Sequence, residues 1–412
     1  MDDRVIQPKM KQYLLSDVDM GEEEALAVAD VVRSKWLSMG PRTAEFEERF
    51  SEEMQVGHGV ALSSCTAALH LALQVLEIGP GDEVLVPSYT FVATANAILY
   101  RGATPVFVDI NGAHDLNIDP DDLADKITAK TKAIFVVHIA GFPVDMDRIM
   151  ELAKTNNLRV IEDACHATGA TYSGRANSSH RGRKAGTIGG VGCFSFFANK
   201  NLVTGEGGML VTDDPDLAAR VRLARSHGMT KSSWDKADGR AFGYDVVSLG
   251  YNYRSTELTA ALGLIQIRKL ADANAKRMEL VCHYRRQLNG IESLTIPFDH
   301  RLEDSAHHIF PVVVQDASLR EPLRQALNER GIQTSVHYPP IHQFSHYKAL
   351  SNEECRLNIT EDVAAREVTL PLHPLLEESD VDFICNAVLE SLGGLIQDSG
   401  LGSQRIHLQT SL

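Results

Sequence analysis

The first half of the chain alternates amphipathic stretches with short apolar runs. Apolar positions at helical spacing predict a helix that begins at Gly21 and further helices at about Pro41–Met54 and Met146–Asn156. Between such stretches lie nearly continuous apolar runs, for example Val84–Val86 and Ala133–Val137. Strands of this composition are buried on both faces, as in a parallel sheet that is covered by helices. The first half is therefore predicted to be α/β.

The second half carries longer helical stretches and fewer strand-like runs. Helical character persists from Thr256 to about Leu288, which is long enough to connect two lobes. Beyond it, the pattern predicts a strand at Ile309–Val314, a helix at Leu319–Arg330, a strand that enters His337 and a last helix at Val381–Leu392. We expect a smaller α+β lobe here.

These patterns divide the chain into four segments. Residues 1–20 are expected to form an N-terminal arm and residues 21–245 a large α/β domain. Residues 246–392 would comprise a linking helix and a small C-terminal α+β domain. Residues 393–412 lose periodicity, so we expect a flexible tail there.

Composition and charge restrict the possible partners. The 412 residues include 55 Asp and Glu against 40 Lys and Arg, a formal net charge of −15. This balance argues against nucleic acid and against an anionic membrane surface, because both require a basic excess. No apolar run is long enough to span a bilayer, and the N-terminus lacks a secretory pattern. Six dispersed cysteines without a CxxC pair are typical of reduced thiols, so a cytoplasmic location is expected.

Motifs of several common catalytic and binding sites are absent from the sequence. It contains no GxxxxGK[ST] phosphate loop, no complete GxGxxG fingerprint and no GxSxG nucleophile turn. It contains no HExxH, and its sixteen histidines show no metal-ligand spacing. We therefore expect no metal site, and any chemistry must come from other groups.

One carboxylate follows a predicted strand. Asp163 ends the apolar run that contains Val160 and Ile161, and His166 lies one short turn further on. In an open α/β sheet, ligands bind outside the carboxyl ends of the strands, so Asp163 is placed to meet a ligand. An aspartate after a strand also often caps the next helix, and this fragment by itself favours the cap.

A lysine lies between an aromatic strand and a glycine-rich turn. Lys200 follows Phe194–Phe197 and precedes Gly205–Gly208. Partial desolvation disfavours an ammonium group and makes the amine nucleophilic, while glycines let the backbone approach a flat ligand. Most lysines before a turn are simply exposed, and both interpretations stay open.

A third polar fragment lies where a strand runs into a helix. Ser64 and Thr66 stand near a helix start, where free N–H groups can seat a phosphate; alternatively, either residue is only an N-cap. A phosphate seat, a strand-end carboxylate and a half-buried lysine are together what pyridoxal phosphate requires. Each fragment is weak singly, and their combination is specific.

Six ordered motifs between about Leu14 and Leu392 carry a family resemblance. The sequence resembles the DegT/StrS-type family of pyridoxal-phosphate-dependent sugar-nucleotide aminotransferases. The motifs are Ser63–Leu69, Pro87–Thr94, Ile161–Ala167, Phe194–Gly208, Gly250–Arg254 and Val336–Pro340. The resemblance implies fold type I, in which a large lobe with a mostly parallel sheet binds pyridoxal 5'-phosphate and a smaller α+β lobe follows.

The resemblance also implies roles for individual residues. Lys200 would form a Schiff base with the cofactor and later shuttle a proton between substrate and cofactor. Asp163 would pair with the pyridinium nitrogen and keep it protonated, and His166 would lie near the ring oxygen. The other implied contacts are Phe91 on the pyridine face, Thr66, Ala67 and Ser195 around the phosphate, Asn252 from the partner subunit of a homodimer, and Arg254, His337 and Tyr338 near the substrate.

Two features depart from the family pattern. The polar loop at Asn177–Lys184 is longer than in most members; it either helps cover the sugar nucleotide or is a surface insertion, and the second reading is favoured. Phe197 stands where relatives often carry histidine, so a polar role at that position is not expected.

The implied reaction moves an amino group from L-glutamate to a nucleotide-linked keto-deoxysugar. The Gly205–Gly208 turn favours C4 of an NDP-4-keto-6-deoxyhexose, as in deoxyaminosugar biosynthesis. Two alternatives remain: a pyridoxal-phosphate-dependent synthase or dehydratase on the same scaffold, and a non-catalytic regulator that binds the cofactor. The dehydratases replace the lysine by histidine, so Lys200 counts against them.

Overall fold

A computed structural model describes residues 11–231, 234, 243–350 and 355–399 of the chain. Nine strands lie in its first part: β1 (His58–Leu62), β2 (Glu83–Pro87), β3 (Thr104–Val108), β4 (Ile110–Gly112), β5 (Asp115–Ile118), β6 (Thr131–Val137), β7 (Arg159–Asp163), β8 (Val191–Ser195) and β9 (Gly208–Thr212). Seven of them form one sheet in the order β1-β9-β8-β7-β6-β2-β3, and β4 and β5 form a hairpin. Within the large sheet, β9 runs antiparallel to both neighbours and the other strands are mutually parallel.

Helices cover both faces of the large sheet. They are α1 (Glu22–Ser34), α2 (Pro41–Met54), α3 (Cys65–Val75), α4 (Val92–Tyr100), α5 (Pro120–Asp125), α6 (Met146–Asn156) and α7 (Pro215–Ala224). Along β2, Val84 and Val86 pack with α3 and α4, whereas Leu85 packs with α6 on the opposite face. Burial on both faces explains the continuous apolar runs. The predicted α/β class with a mostly parallel sheet is confirmed.

The long helix α8 (Glu257–Leu288) joins two hydrophobic cores. Its first half contributes Leu270 to the core beneath the large sheet, and its second half contributes Tyr284 to a second core. Thr256 caps α8 by accepting from the Thr259 N–H. The buried Glu257 carboxylate accepts N–H bonds from the start of α2, at 2.8 Å from Gly40. One residue therefore fixes α2 and α8 together.

The second core belongs to a small antiparallel sheet and its helices. The strands are β10 (Leu294–Thr295), β11 (Phe310–Val314) and β12 (Glu367–Leu370), and the helices are α9 (Arg320–Glu329), α10 (Ser345–Lys348), α11 (Asn358–Arg366) and α12 (Glu378–Ser399). Tyr13 exchanges backbone hydrogen bonds with Gly331 and Gln333 at 2.8 and 2.9 Å. The small sheet, its helices and the second core together form the second unit of the structure, and the large sheet with its helices forms the first, or large, unit. Tyr13 of the N-terminal arm therefore lies against the second unit. No helix in the described ranges combines the length and apolarity that a membrane span needs.

Two sequence predictions in this region are wrong. The strand predicted to enter His337 is reduced to an isolated antiparallel bridge between Ser335 and Thr369, because the His337 N–H donates to the Glu367 carboxylate and does not continue the ladder. The tail expected from residue 393 is helical as far as Ser399, because Leu395 and Ile396 continue the apolar face of α12 against the second core. Residues 400–412 lie outside the described residues.

Gly208 lets α3 begin directly beside β9. A Cβ atom at this position would lie 2.4 Å from the carbonyl carbon of Ser64 and 2.5 Å from the nitrogen of Cys65. These are backbone atoms, so no rotamer change could relieve the overlap. The first turn of α3 and the start of β9 therefore depend on the missing side chain.

We predict that Gly208→Ala displaces the first turn of α3 and lowers the free energy of unfolding by about 1–3 kcal/mol. Gly394→Ala in α12 is the matched control, since no atom lies within 4 Å of its added Cβ. Alanine there should stabilise the helix by about 0.5–1 kcal/mol. Urea unfolding of both variants measures the difference, and a Gly208→Ala protein as stable as the wild type would contradict the close packing.

Candidate active site

Polar groups converge at one edge of the large sheet. The strands that end there are β1 at Leu62, β2 at Pro87, β6 at Val137, β7 at Asp163 and β8 at Ser195. Their parallel direction places all of these carboxyl ends on the same side, where open α/β sheets bind ligands. Lys200 and the first turn of α3 follow directly after two of the strands, so the edge is the candidate site.

Lys200 reaches this edge from the turn between β8 and β9. Its side chain is half-buried, and its Nζ atom lies 3.3 Å from Nε2 of His308. His308 is buried just before β11, in the second unit. Of the two readings left open for Lys200, the structure excludes the freely exposed one.

Asp163 is a buried carboxylate at the end of β7, with only 3% of its surface exposed. Its Oδ2 atom accepts a hydrogen bond from Thr94 Oγ1 of α4 at 2.8 Å, and its Oδ1 atom accepts one from the Cys165 N–H at 3.3 Å. No helix follows it in the described residues, so the helix-cap interpretation is wrong. Within the described ranges no cation pairs with this carboxylate, which leaves it suited to a cationic ligand.

His166 lies beside Asp163 and contacts the second unit. Its Nε2 atom is 2.8 Å from the Tyr338 hydroxyl, and its ring centroid is 4.3 Å from that of His308. Burial, then the charge of Lys200, lower the pKa of His166 well below its usual value. Its Nδ1 atom is buried and has no hydrogen-bond partner in the described part of the chain. A neutral imidazole therefore offers one free nitrogen to the site.

The first turn of α3 lies at this edge, with backbone N–H groups that could seat an anion. Ser64 is the N-cap, since its side chain accepts from the Ala67 N–H at 3.1 Å. The N–H groups of Cys65 and Thr66 belong to the first turn of α3, where backbone donors have no intrahelical acceptor. Burial raises the pKa of the Cys65 thiol well above its usual range; Asp163 adds to this rise and Lys200 opposes it. The side chains of Asp163 and Lys200 therefore both lie close enough to the start of α3 to influence the Cys65 thiol there.

The remaining predicted phosphate contacts differ in availability. Ser195 ends β8 and is buried, and its Oγ accepts from the Phe197 N–H at 3.3 Å. The Ala67 N–H is already bonded to Ser64, whereas no such bond occupies the Thr66 N–H. Thr66 is the better donor of the two.

Asn252 and Arg254 lie next to the start of α3 in the same chain. The Ser63 N–H donates to the Tyr253 carbonyl at 2.9 Å, and Arg254 pairs with Leu62. The Asn252 side chain is exposed. The Nη1 atom of Arg254 is buried without a partner among the described residues. A buried guanidinium nitrogen with no acceptor suits an anionic ligand.

Phe91 lies beside the site residue Tyr338, whereas the loop at Asn177–Lys184 is held by contacts elsewhere in the large unit. Phe91 precedes α4 with 56% of its surface exposed, and its ring centroid lies 6.3 Å from that of Tyr338. The loop is attached to the large unit, because Arg183 pairs with Asp213 at 2.9 Å and Lys184 donates to the Gly169 carbonyl at 3.2 Å. Two of its cations are thereby used within the chain.

A buried glutamate supports His337 from behind. The His337 N–H donates to Oε2 of Glu367 at 2.8 Å, and the Thr369 hydroxyl lies 2.5 Å from Oε1 of Glu367 and 2.8 Å from Nδ1 of His337. Burial, then the charge of Lys200, lower the pKa of His337 to about 4. His337 is therefore neutral, and it lies close enough to Lys200 for the lysine charge to influence its pKa.

Sequence reasoning missed His308, Thr94 and Glu367. Thr94 and Asp163 are 69 positions apart, and Lys200 and His308 are 108 apart. No local spacing signals such contacts. Only their positions in the sequence could have indicated them: His308 stands just before the predicted strand at Ile309–Val314, and Thr94 ends the family motif at Pro87–Thr94.

The amine of Lys200 and the first-turn N–H groups of α3 open onto the same sheet edge, as in an α/β transferase that handles a phosphorylated ligand. The chain belongs to the DegT/DnrJ/EryC1/StrS aminotransferase family, whose sequence profile matches residues 18–389. This confirms the resemblance that the six motifs carry.

Relatives and solved structures agree with this assignment. The Bacillus subtilis spore coat polysaccharide biosynthesis protein SpsC is 39% identical over 381 residues, covering 91% of this chain and 96% of SpsC. The aminotransferase TlmJ from Streptoalloteichus hindustanus has a TM-score of 0.85 and 36% identity, covering 93% of this chain and 100% of TlmJ. The sugar aminotransferase CalS13 from Micromonospora echinospora has a TM-score of 0.82 and 32% identity, covering 92% and 99%.

We predict a pH-dependent stability that Glu367 controls. Burial raises the pKa of Glu367 to about 8, whereas an unfolded glutamate titrates near ~4.3. Between these values the folded state holds a proton that the unfolded state lacks, so stability is greatest below the lower value and falls as pH rises to about 8. Glu367→Gln should remove roughly 3–5 kcal/mol of this decline.

Urea unfolding at pH 5 and at pH 8 measures the effect. Glu329→Gln is the control, because Glu329 is an exposed side chain on α9. An unchanged pH slope in Glu367→Gln, with a normal slope in the control, would show that Glu367 does not hold the proton.

Proposed function

We propose that this chain transfers the amino group of L-glutamate to the keto group of a nucleotide-linked deoxysugar. The chain is a sugar aminotransferase by its family and its relatives. The observation that carries the proposal is the half-buried Lys200 amine at the same sheet edge as Asp163 and the α3 anion seat. We further propose C4 of an NDP-4-keto-6-deoxyhexose as the acceptor position, which the Gly205–Gly208 turn supports.

The residues at the edge fit pyridoxal 5'-phosphate, the cofactor of this family. When bound, it supplies an electron sink for the carbon that carries the amine. Asp163 would hold its ring nitrogen, because this buried carboxylate has no cation partner in the described ranges. The unpartnered Nδ1 of His166 would meet its ring oxygen. Thr66, Ser195 and the α3 N–H groups would hold its phosphate.

Lys200 would carry out the proton transfers. Its Nζ atom would hold the cofactor in the resting enzyme and would be free as a base once the amino donor has taken its place. Lys200 would then move a proton between the substrate carbon and the cofactor carbon, which a nearby amine can do because it is held in place rather than supplied from solvent. Arg254, His337 and Tyr338 would contact the sugar nucleotide or the donor carboxylates.

We also propose a homodimer whose active sites are shared. The segment before Asn252 exposes apolar side chains, with 73% of Leu249 and 55% each of Val246 and Val247 accessible. Exposed apolar residues of this size next to a site residue are suited to burial against a second copy. The exposed Asn252 would then reach the phosphate of the partner's site.

The proposed division into domains follows the two cores. Residues 21–245 would form the cofactor-binding domain, and residues 246–392 the linking helix and small domain. All six cysteines are free, which supports the proposed cytoplasmic location.

We predict that the purified protein has a visible absorption band from the lysine-bound cofactor, and that L-glutamate bleaches it. Lys200→Ala should lose the band and at least about 1000-fold in turnover, because the amine is both the attachment point and the proton carrier. Lys276→Ala is the control, because Lys276 lies on the surface of α8 and pairs only with Glu279 within the described residues. A Lys200→Ala enzyme with wild-type turnover would contradict the mechanism.

The acceptor is tested by single turnover. The amine form of the enzyme, made with L-glutamate, is mixed with a set of keto-sugar nucleotides, and NMR locates the aminated carbon. Amination at C4 supports the full proposal, and amination elsewhere retains the transferase but corrects the position. A bleached band without any aminated sugar favours a synthase, and no bleaching favours a regulator.

We predict that two inactive variants restore each other if the site is shared. In a hybrid of Lys200→Ala and Asn252→Asp chains, one site regains an intact Lys200 and an intact Asn252. Random mixing should recover about a quarter of wild-type activity. The matched control is a dimer in which each chain carries both substitutions, Lys200→Ala and Asn252→Asp. It should remain inactive. No recovery after verified subunit exchange would place Asn252 in the site of its own chain.

A further inference from the structure

A chain of side-chain amides runs from α8 to the candidate catalytic lysine. Asn274 of α8 donates from Nδ2 to the Thr168 carbonyl at 3.0 Å, so its Oδ1 atom is left as an acceptor. Asn201 donates from Nδ2 to that oxygen at 2.8 Å and to the Ala306 carbonyl at 2.6 Å. Both amide orientations are thereby determined by backbone carbonyls, which can only accept.

This orientation determines which nitrogen of His308 carries the hydrogen. The Oδ1 atom of Asn201 lies 3.0 Å from Nδ1 of His308. An amide oxygen is an acceptor, so Nδ1 must be the donor. In a neutral imidazole the other nitrogen, Nε2, then presents a lone pair.

The surroundings keep His308 neutral. It is buried beside two charged side chains: Nη1 of Arg277 donates to its backbone carbonyl at 3.3 Å, and Lys200 lies 3.3 Å from Nε2. Burial first, and then the positive charges of Lys200 and Arg277, lower the pKa of His308 well below its usual value. A second proton on this ring is disfavoured by every charged neighbour, so His308 is an acceptor and not a proton store.

We infer that His308 is a positioning residue that accepts an N–H bond from Lys200 and so orients the amine. Lys200 takes up a proton as its neutral amine, and in that form it has two N–H groups and one lone pair. A hydrogen held by Nε2 of His308 turns the lone pair away from that ring, toward the sheet edge where the proton has to be taken up. The inference rests on the proposed role of Lys200, and it assigns the direction of each hydrogen bond from Thr168 to the lysine.

Histidine NMR of the full-length holoenzyme tests the tautomer without any assay of activity. Long-range ¹H–¹⁵N correlation of ¹⁵N-histidine protein distinguishes the two tautomers, and the signal missing from His308→Gln assigns the residue. We expect a neutral ring with the hydrogen on Nδ1 from pH 6 to pH 9. A hydrogen on Nε2, or an imidazolium in this range, would overturn the inference.

Kinetics test the consequence for the amine. His308→Leu removes the acceptor and should lower kcat for the L-glutamate half-reaction about 10- to 100-fold, with the KM for L-glutamate little changed. His308→Gln should recover part of this loss, since its Oε1 atom can accept from Lys200. Asn201→Leu should also lower kcat, and its NMR spectrum should show that the Nδ1 hydrogen is no longer fixed.

The exposed His346 supplies the matched control, and His346→Leu should leave kcat unchanged. A His308→Leu enzyme with wild-type kcat would overturn the positioning role. The tautomer can be read in wild-type protein whether or not a sugar is aminated. A fixed Nδ1 hydrogen without glutamate bleaching would therefore refute the proposed function and leave the hydrogen-bond direction intact.

Discussion

The buried carboxylate of Glu162 holds together the strands on which the site depends. It accepts backbone N–H bonds from Gly186 at 2.8 Å and Ile188 at 2.6 Å, and a further one from Gly189. His138 completes the shell: its Nδ1 accepts from the Val144 N–H, so its Nε2 is the donor toward Glu162 at 3.0 Å. Four donors compensate the cost of burying this charge.

This arrangement determines where Lys200 and Asp163 lie. Side chains alternate along a strand, so Glu162 and Asp163 point to opposite faces of β7. Glu162 binds the backbone of the loop that precedes β8, and Lys200 lies in the turn that follows β8. Gly186 must remain glycine in this loop, since its φ is +89° and a Cβ would lie 2.3 Å from Phe194. The Glu162 carboxylate thus fixes the loop before β8, and the neighbouring Asp163 carboxylate stays available to contact a ligand.

The second unit completes the site rather than merely covering it. His308, His337 and Tyr338 come from this unit and meet Lys200 and His166 of the first. Between the same two units, Nδ1 of His342 lies 2.7 Å from Oγ of the buried Ser88. Separating the units would expose these buried polar groups without their partners, so the folding of the second unit and the geometry of the lysine are linked.

Local patterns predict what depends on neighbouring residues and fail where distant residues meet. Helical periodicity placed α2 at its observed bounds, and the apolar run at Val160 correctly indicated a strand ending at Asp163. The contact of Lys200 with His308 has no local signal, because topology alone brings these residues together. The strand expected before His337 was wrong for a related reason: the His337 N–H is taken by the distant Glu367 carboxylate, and only Ser335 pairs with Thr369.

The negative net charge is compatible with a phosphorylated ligand because the site limits its own charges. Burial lowers the pKa of His166, His308 and His337, so three imidazoles near Lys200 remain neutral. If these rings were charged, they would compete with a cationic ligand for the Asp163 carboxylate. Anion binding can then rest on the α3 N–H groups and on Arg254, which act over a few ångströms, whereas the −15 balance acts over the whole surface. The acidic surface therefore discriminates against polyanions without weakening a small phosphate at the sheet edge.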